Sequence, residues 1–475
     1  MVQDGFDVAC FKAQNMSLNS YVTADGKEMG RAQVVQAEAC RLEPDVRMNP
    51  VLLKPHQDDG SEIIVMGEPI GRMNARTYHT YRDTLQQTVH RAYDDLAAEH
   101  EVMVLEGAGS VGEINLKHTD IVNMPMAAHA GAHTFLVGDI DRGGVFASCI
   151  GILNTMEQWE RRLIKGYLIN KFRGDPSLLD TAYAYLERYT GVPVLGTVAF
   201  IDDMVIAGED SVDMDMRSTA GGDMTRDRIT IGMIVLPHIS NYTDMDALRL
   251  EPDVRVEPVR RPEQIEGLDV VVIPGSKNVC ADMRMLHARG FAAALRKAGH
   301  NPAQELVGIC GGFQMLGHEI VEGDDADPAV LNDARNVPRI RGIGCIDMRS
   351  LYRSRKTRRR VHATFIEADQ PVCGYEIHYG YTRAEGLLPV LRSADTDMDP
   401  GARSPDGSCW GCYLHGMFDA DGFRRWFINR VRMRKGMPPL AIQTRYNQDA
   451  QLDMVAKRVR DAVQLDRIYA MLGIA

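Results

Sequence analysis

The run Val307-Gly-Ile-Cys310-Gly-Gly-Phe-Gln314-Met-Leu-Gly317 admits few folds. An apolar strand has to end, turn sharply and open a helix within a few residues, with one cysteine at the corner. Glycines on both sides of Cys310 permit the strained backbone of a nucleophile elbow. The start of a helix there offers unpaired N–H groups and a positive dipole end, which favour a thiolate and can hold an oxyanion. The plain alternative is a packed thiol, since free cysteine is among the most buried residue types. The Gly-x-Cys-Gly-Gly setting favours the reactive reading.

An elbow cysteine needs a base. Cys409-Trp-Gly-Cys412-Tyr-Leu-His415-Gly-Met-Phe418 brings a histidine late in the chain. Its Cys-x-x-Cys invites a zinc reading. Residues i and i+3 of a strand face opposite ways, however, and no second ligand pair exists in the sequence. His415 therefore reads as the base for Cys310, the alternative being a histidine that merely packs. In the preceding strand-to-turn, Leu268 to Asn278, Gly275 is placed to offer a backbone N–H to an oxyanion, and Gly311 is the second such candidate.

The chain has 475 residues, too many for one compact core, so two or three domains are expected. Its net charge of −11 argues against a nucleic-acid partner, and no apolar run is long enough to span a membrane. Nine cysteines at scattered spacings fit reduced thiols in a cytosol.

Strands alternate with helices through the first half, which predicts a doubly wound parallel sheet. The predicted strands end in Phe11-Lys12-Ala-Gln14-Asn15, Glu106-Gly-Ala-Gly-Ser110, Asp139-Ile-Asp-Arg142 and Asn170-Lys-Phe-Arg-Gly-Asp175. Ligands of open α/β sheets bind at such strand ends. Glu106 is suited to holding Mg²⁺ on a nucleotide's phosphates, or to capping a helix. Gln33, Gln36 and Glu38 lie on a predicted helix over residues 30–42, as site residues or, favoured slightly, as its wet face. Residues 207–228 are polar, glycine-bearing and aperiodic, as connectors are. The predicted division is 1–206, a linker over 207–228, and a second α/β domain over 229–475. Glu-Pro-Asp-Val-Arg at 43–47 and 251–255 reads as coincidence. The basic run Arg353, Arg355, Lys356, Arg358, Arg359 and Arg360 reads as a solvated edge strand.

Taken together, these pieces resemble a known family. Phe11 to Ser20, Glu106 to Ser110, Glu113 to Leu116, Asp139 to Ala147 and Asn170 to Asp175 resemble segments of the cobyric acid synthases, the glutamine-dependent amidotransferases of cobalamin biosynthesis. So do Leu236-Pro-His-Ile-Ser-Asn241, Pro274 to Asn278, Gly308 to Gly312, Gly374-Tyr-Glu-Ile-His378 and Tyr413-Leu-His-Gly416.

The resemblance implies two α/β domains. The first is a P-loop-type, ATP-dependent synthetase domain related to dethiobiotin synthetase, and the second a class I, triad-type glutamine amidotransferase domain. The implied activity is amidation of the b, d, e and g carboxylates of adenosylcobyrinic acid a,c-diamide, with glutamine and Mg-ATP. Cys310 and His415 become nucleophile and base. Lys12, Asn170 and Asp175 are expected at the nucleotide and its phosphates, Glu106 at Mg²⁺, and Gln14, Asn15, Asp139 and Arg142 at substrate. An acidic third triad member would stand two residues past His415. That position is Met417, so a reduced Cys-His arrangement is expected. The alternatives are a cobyrinic acid a,c-diamide synthase, a peptidoglycan lipid-amidating enzyme, or a corrinoid-binding scaffold. The family opens with a strand, a glycine-rich Lys-Ser phosphate loop and a helix. No Gly-x-x-x-x-Gly-Lys-[Ser/Thr] occurs in the 475 residues, so an N-terminally incomplete synthetase domain with impaired ATP binding is expected, or a misplaced start codon.

Overall fold

The computed structural model describes residues 1–56, 60–202, 204, 206, 208–209, 228–322, 339–383, 386–395 and 397–474. The predicted linker lies almost wholly outside them. Two compact units result, and they do not follow a single cut in the sequence. The first takes Met1–Met16, Gln33–Ile206 and Asn447–Ala475, the second Ser17–Ala32 and Ala207–Tyr446. Both exchanges have a packing reason. Val463 and Ile468 of the C-terminal helices bury against Leu195, and Gln464 N–H donates to the Leu195 carbonyl at 2.8 Å. The hairpin of Ser20–Val22 and Glu28–Gly30 buries Val22 against Tyr375 and Ile377.

In the first unit, Val8–Phe11 pairs in parallel with Val102–Leu105. Thr134–Asp139, Ile164–Phe172 and Val194–Ala199 form a second parallel sheet with Ile164–Phe172 in its centre. Parallel strands are usually covered on both faces, yet Val104 is 48% and Val137 63% exposed. The single doubly wound sheet expected from the sequence is thus two sheets among the described residues. A four-stranded sheet orders Gln14–Met16, Val51–His56, Gly60–Val65 and Glu68–Met73. The helix Ala75–Ala97 follows, its N-terminus capped by the Asn74 side chain, which accepts from Thr77 N–H.

The second unit is built on five parallel strands in the order Val254–Val259, Ile229–Ile234, Val270–Ile273, Glu305–Ile309 and Cys409–Cys412, with Ala402–Arg403 antiparallel at the edge. Val270 to Ile273 are wholly buried, which is why they read as one apolar run. A second sheet orders Arg339–Arg341, Glu319–Glu322, Arg349–Phe365 and Gln370–Arg383. It corrects the reading of the basic run. Arg349–Phe365 pairs with Gln370–Arg383 and meets other strands only near its ends, at 349–352 and 364–365, but its charges are not left to solvent: Lys356 reaches the buried Glu28 carboxylate at 2.6 Å. Arg359 meets the buried Glu376 at 2.6 Å. The side chains of residues 353–355 lie outside the description.

The two Glu-Pro-Asp-Val-Arg copies do different work. In the first, Asp45 caps a 3₁₀ turn and pairs with Arg47 on the surface. In the second, Glu251 and Asp253 are buried with Arg424, Arg425 and Arg432. That cluster ties the helix Asp421–Arg434 to the edge of the parallel sheet. Removing one partner from a buried ion pair leaves the other charge uncompensated, at about 3–5 kcal/mol. Glu251→Gln is accordingly expected to lower the unfolding free energy of the second unit by an amount in that range, read as a lower urea midpoint at unchanged slope in equilibrium unfolding.

Candidate active site

The strand Glu305–Ile309 delivers Cys310 to a corner whose backbone is strained as the sequence required. Cys310 has φ 53° and ψ −109°, a positive φ that non-glycine residues seldom adopt. Its N–H donates to the Cys412 carbonyl at 2.9 Å, and its carbonyl accepts from Gln314 N–H at 3.1 Å. The helix that follows, Gly311–Leu316, is short and wholly buried. Gly312 has to be glycine: a Cβ there would stand 2.0 Å from the Ile273 carbonyl oxygen. The Cys310 Sγ is 3.6 Å from the Ile377 carbonyl.

His415 is wholly buried, three residues beyond Cys412 at the end of the neighbouring parallel strand. Its backbone bonds both ways to Tyr375, with N···O distances of 3.1 and 2.9 Å, and the Tyr375 ring stacks on its imidazole at 5.3 Å. The approach needs Gly374, where a Cβ would lie 1.8 Å from the His415 carbonyl oxygen. His415 Nδ1 is 2.8 Å from Asp244 Oδ2, and Gly416 N–H donates to Asp244 Oδ1 at 2.8 Å. Among the described residues Nε2 has no hydrogen-bond partner, and it lies within electrostatic reach of the Cys310 sulfur. Burial alone would lower the imidazole pKa. The Asp244 carboxylate and Cys310 outweigh it and lift the value to about 10. The site thus favours an imidazolium held between a carboxylate and the cysteine.

This corrects the expectation of a bare Cys-His pair. Met417 is a core residue, but the carboxylate position is filled by Asp244, 171 residues away in sequence. No spacing rule could have found it. Asp244 stands in the 3₁₀ turn Tyr242–Met245, just after the Leu236 to Asn241 segment. A second histidine, His378, closes the Gly374 to His378 segment, and the sequence reading gave it no role. It stacks on Tyr413 at 3.7 Å, and burial, aided by Arg359, pushes its pKa down to about 3. Burial that disfavours its protonated form makes this ring a weak proton acceptor.

Gly275 and Gly311 both border this corner. Gly275 pairs with Ser240 in a two-residue antiparallel contact, and a Cβ on it would meet His415 Cε1 at 3.2 Å. A Cβ on Gly311 would be 2.7 Å from the Ser276 nitrogen. The two backbone segments therefore converge beside the cysteine. Ser276 Oγ, Asp282 and His238 form a buried chain behind them, with links of 2.6 Å on either side of Asp282.

In the first unit, Lys12 Nζ is 3.2 Å from Glu106 Oε1, and Gln36 Nε2 donates to Glu106 Oε2 at 2.5 Å. Asn15 Nδ2 donates to Gln33 Oε1 at 2.8 Å. Gln33 is wholly buried, so the wet-face reading of Gln33 and Gln36 does not hold. Gln14 accepts from the Tyr78 hydroxyl, and both line a cavity of about 900 Å³ with Met16, Lys117 and the 108–110 turn. Asp139 and Asn170 are register partners at the ends of adjacent strands. Asp139 is 2.9 Å from Lys171 Nζ and 4.0 Å from Arg142 Nε. Burial would raise the Asp139 pKa, but Lys171 and the Asp141 N–H more than reverse that. Asp175 stands apart, accepting from Ser177 N–H at 3.0 Å beside a second cavity of about 850 Å³. Among the described residues no group of three His, Cys, Asp or Glu side chains could hold a metal, and no helix is long and apolar enough to cross a membrane.

Two family models match the chain in turn. Residues 1–212 match the CobQ/CobB/MinD/ParA nucleotide binding domain, and residues 230–423 the CobB/CobQ-like glutamine amidotransferase domain. The chain is 46% identical to the cobyric acid synthase of Nitratidesulfovibrio vulgaris Hildenborough, over 100% of this chain and 93% of the relative. It is 43% identical to that of Salmonella typhimurium LT2, over 99% and 93%. It is also 42% identical to the adenosylcobalamin biosynthesis bifunctional protein CobDQ of Leptospira interrogans serovar Lai, over 99% of this chain and 54% of the relative. With the elbow cysteine, its histidine and both domains in place along its whole length, the chain belongs to the cobyric acid synthase family.

Proposed function

We propose that this chain is a glutamine-dependent amidating enzyme of cobalamin biosynthesis, forming side-chain amides on adenosylcobyrinic acid a,c-diamide at its b, d, e and g carboxylates. The observation that carries the reading is the strained Cys310 corner facing a buried His415–Asp244 pair, in a chain whose cobyric acid synthase relatives match it end to end.

The Cys310 thiolate adds to the side-chain amide carbon of glutamine, forming a C–S bond. The carbonyl oxygen gathers the displaced electron pair, beside the backbone of Gly275 and Gly311. His415 Nε2 then gives its proton to the leaving nitrogen, the C–N bond breaks and ammonia departs. Water then adds to the thioester carbon as the neutral His415 Nε2 takes its proton, the C–S bond breaks, glutamate leaves, and thiolate and imidazolium are restored. Asp244 touches no reacting atom. It fixes the imidazole's orientation and stabilises its charged form.

In the first unit, Glu106 fits a magnesium contact of the kind nucleotide sites use, where one or two carboxylates and the phosphates share the ion. Its carboxylate is 42% exposed, next to the nearly buried Lys12 ammonium, a cation suited to a phosphate. Bound Mg-ATP would supply the activation that a corrinoid carboxylate needs before ammonia can displace its oxygen. Asn170 and Asp175 are our candidates for the nucleotide. Gln14, Asn15, Asp139 and Arg142 are candidates for the corrinoid, Gln14 because it lines the larger cavity.

Cys310→Ala is expected to abolish glutamine-dependent amidation while added ammonia still supports it, with products identified by mass spectrometry on the a,c-diamide. Loss of both reactions in a folded variant, beside a wild type that performs both, would make Cys310 structural, and amidation of cobyrinic acid at its a and c carboxylates would assign the chain to the neighbouring reaction.

Asp244→Asn should slow glutaminase turnover about 10²- to 10⁴-fold. Without the carboxylate the His415 pKa falls, so the alkaline limb of the rate profile moves to lower pH. The same linkage shows in stability. The pKa is raised from 6.5 to about 10, so the His415 contribution is complete below pH 6.5 and fades as pH climbs to about 10. Thermal unfolding across that window should show the loss in wild type and little of it in Asp244→Asn.

A further inference from the structure

The hairpin Ser17–Ala32 comes from the first part of the sequence but belongs to the amidotransferase unit. Its strands pair with Ser20 opposite Gly30, Tyr21 opposite Met29 and Val22 opposite Glu28. Val22, Glu28 and Met29 are wholly buried. It is anchored by the Lys356–Glu28 ion pair and by Arg360, whose Nε donates to the Val22 carbonyl at 3.2 Å. Such an anchorage is far more than a passing loop requires.

Two contacts run from it toward the reacting groups. Asn19 Oδ1 accepts from Asn241 N–H at 2.9 Å, and Asn241 Oδ1 accepts from Ser20 N–H at 2.9 Å. The pair is reciprocal and buried. Asn19 Nδ2 also donates to the Glu209 carbonyl at 3.2 Å. Asn241 holds φ 53°, a left-handed conformation that asparagine tolerates better than most residues, and it opens the turn bearing Asp244. The second contact is aromatic. The Tyr21 ring lies 4.7 Å from that of Tyr375, which stacks on His415.

We propose that this hairpin positions the glutaminase site: Asn19 fixes the turn that presents Asp244, and Tyr21 backs the Tyr375 ring against which His415 lies. The proposal rests on Cys310 and His415 being the glutaminase pair. Neither Asn19 nor Tyr21 touches a reacting atom, so both are positioning residues. A free Asp244 turn leaves the imidazole with a choice of orientations, and only one aims Nε2 at the sulfur. The bond Asn19 Oδ1 accepts from Asn241 N–H and the one Ser20 N–H donates to Asn241 Oδ1 restrict that choice, each at the modest strength of a neutral pair.

The test is glutamine hydrolysis by full-length Asn19→Ala, Tyr21→Ala and Tyr21→Phe, with kcat, KM, pH profile and thermal unfolding measured for each. Asn19→Ala is expected to lower kcat about 10-fold at nearly constant KM. The alkaline limb of its profile should move to lower pH, because His415 loses part of the carboxylate contact that raises its pKa. Tyr21→Ala should lower kcat similarly, and Tyr21→Phe, which keeps the ring, should restore it. Unchanged kcat in both alanine variants overturns the proposal. So does a loss that merely follows the folded fraction with the pH profile unmoved. Should Asn19→Ala fail to fold, the Tyr21→Ala and Tyr21→Phe pair decides. Wild-type turnover in Cys310→Ala would instead overturn the glutaminase reading itself, an outcome the hairpin variants cannot mimic.

Discussion

A carboxylate and an imidazole facing each other out of water set the terms for the second unit. Burial disfavours the charged form of His415, yet the Asp244 oxygen 2.8 Å away reverses the balance. The pair is worth having only if its geometry is held, since a buried charge that loses its partner is costly. Much of the surrounding architecture can be understood from that requirement. Gly416 N–H satisfies the second Asp244 oxygen, and Tyr375 brackets the His415 backbone from both sides. Gly374 lets the two strands come close enough to do so.

The cysteine corner answers a different constraint. A thiol at φ 53° is held in a conformation the chain would not choose by itself. What holds it is the close contact of a buried helix with the neighbouring strand, possible because Gly312 presents no side chain to Ile273. The helix is too short for its dipole to be the main support of a thiolate. The raised pKa of His415 keeps a protonated imidazole beside the sulfur through neutral pH.

The corner at Cys310 was legible in the sequence because it sits in a local pattern whose geometry follows from chain stereochemistry. A glycine-flanked residue between strand and helix has few conformations open to it. Asp244 was not legible, since its place depends on how a turn after one strand meets a loop after another. The same holds for Gln33 and Gln36. On an isolated helix they are polar positions like any others, and only the packing of Asn15 and Glu106 against them shows that they face inward. Lys356 misled for the reverse reason. Amid arginines it read as a solvated charge, whereas its partner Glu28 lies 328 residues away. The parallel strands of both units were visible as apolar runs. The split of the first unit's strands into two sheets was not, because hydrogen-bond partners leave no mark on a strand's own composition.

Domain boundaries drawn along a sequence assume that neighbours in the chain fold together. The hairpin over 17–32 and the helices over 447–475 break that assumption in opposite directions, and side-chain chemistry explains why each is stable where it lies. Ile468 and Val463 find an apolar partner in Leu195, where Gly196 admits the Ala462 carbonyl at close range. The hairpin carries Glu28, a wholly buried carboxylate, and a buried carboxylate without a cation would oppose folding. Lys356 supplies that cation from the long strand of the second unit, while Tyr21 and Val22 cover the face of the strand that holds Tyr375. A segment that brings an unpaired charge of one sign folds where the opposite charge is already fixed. That requirement, rather than proximity in sequence, assigns the hairpin to the unit that contains Cys310.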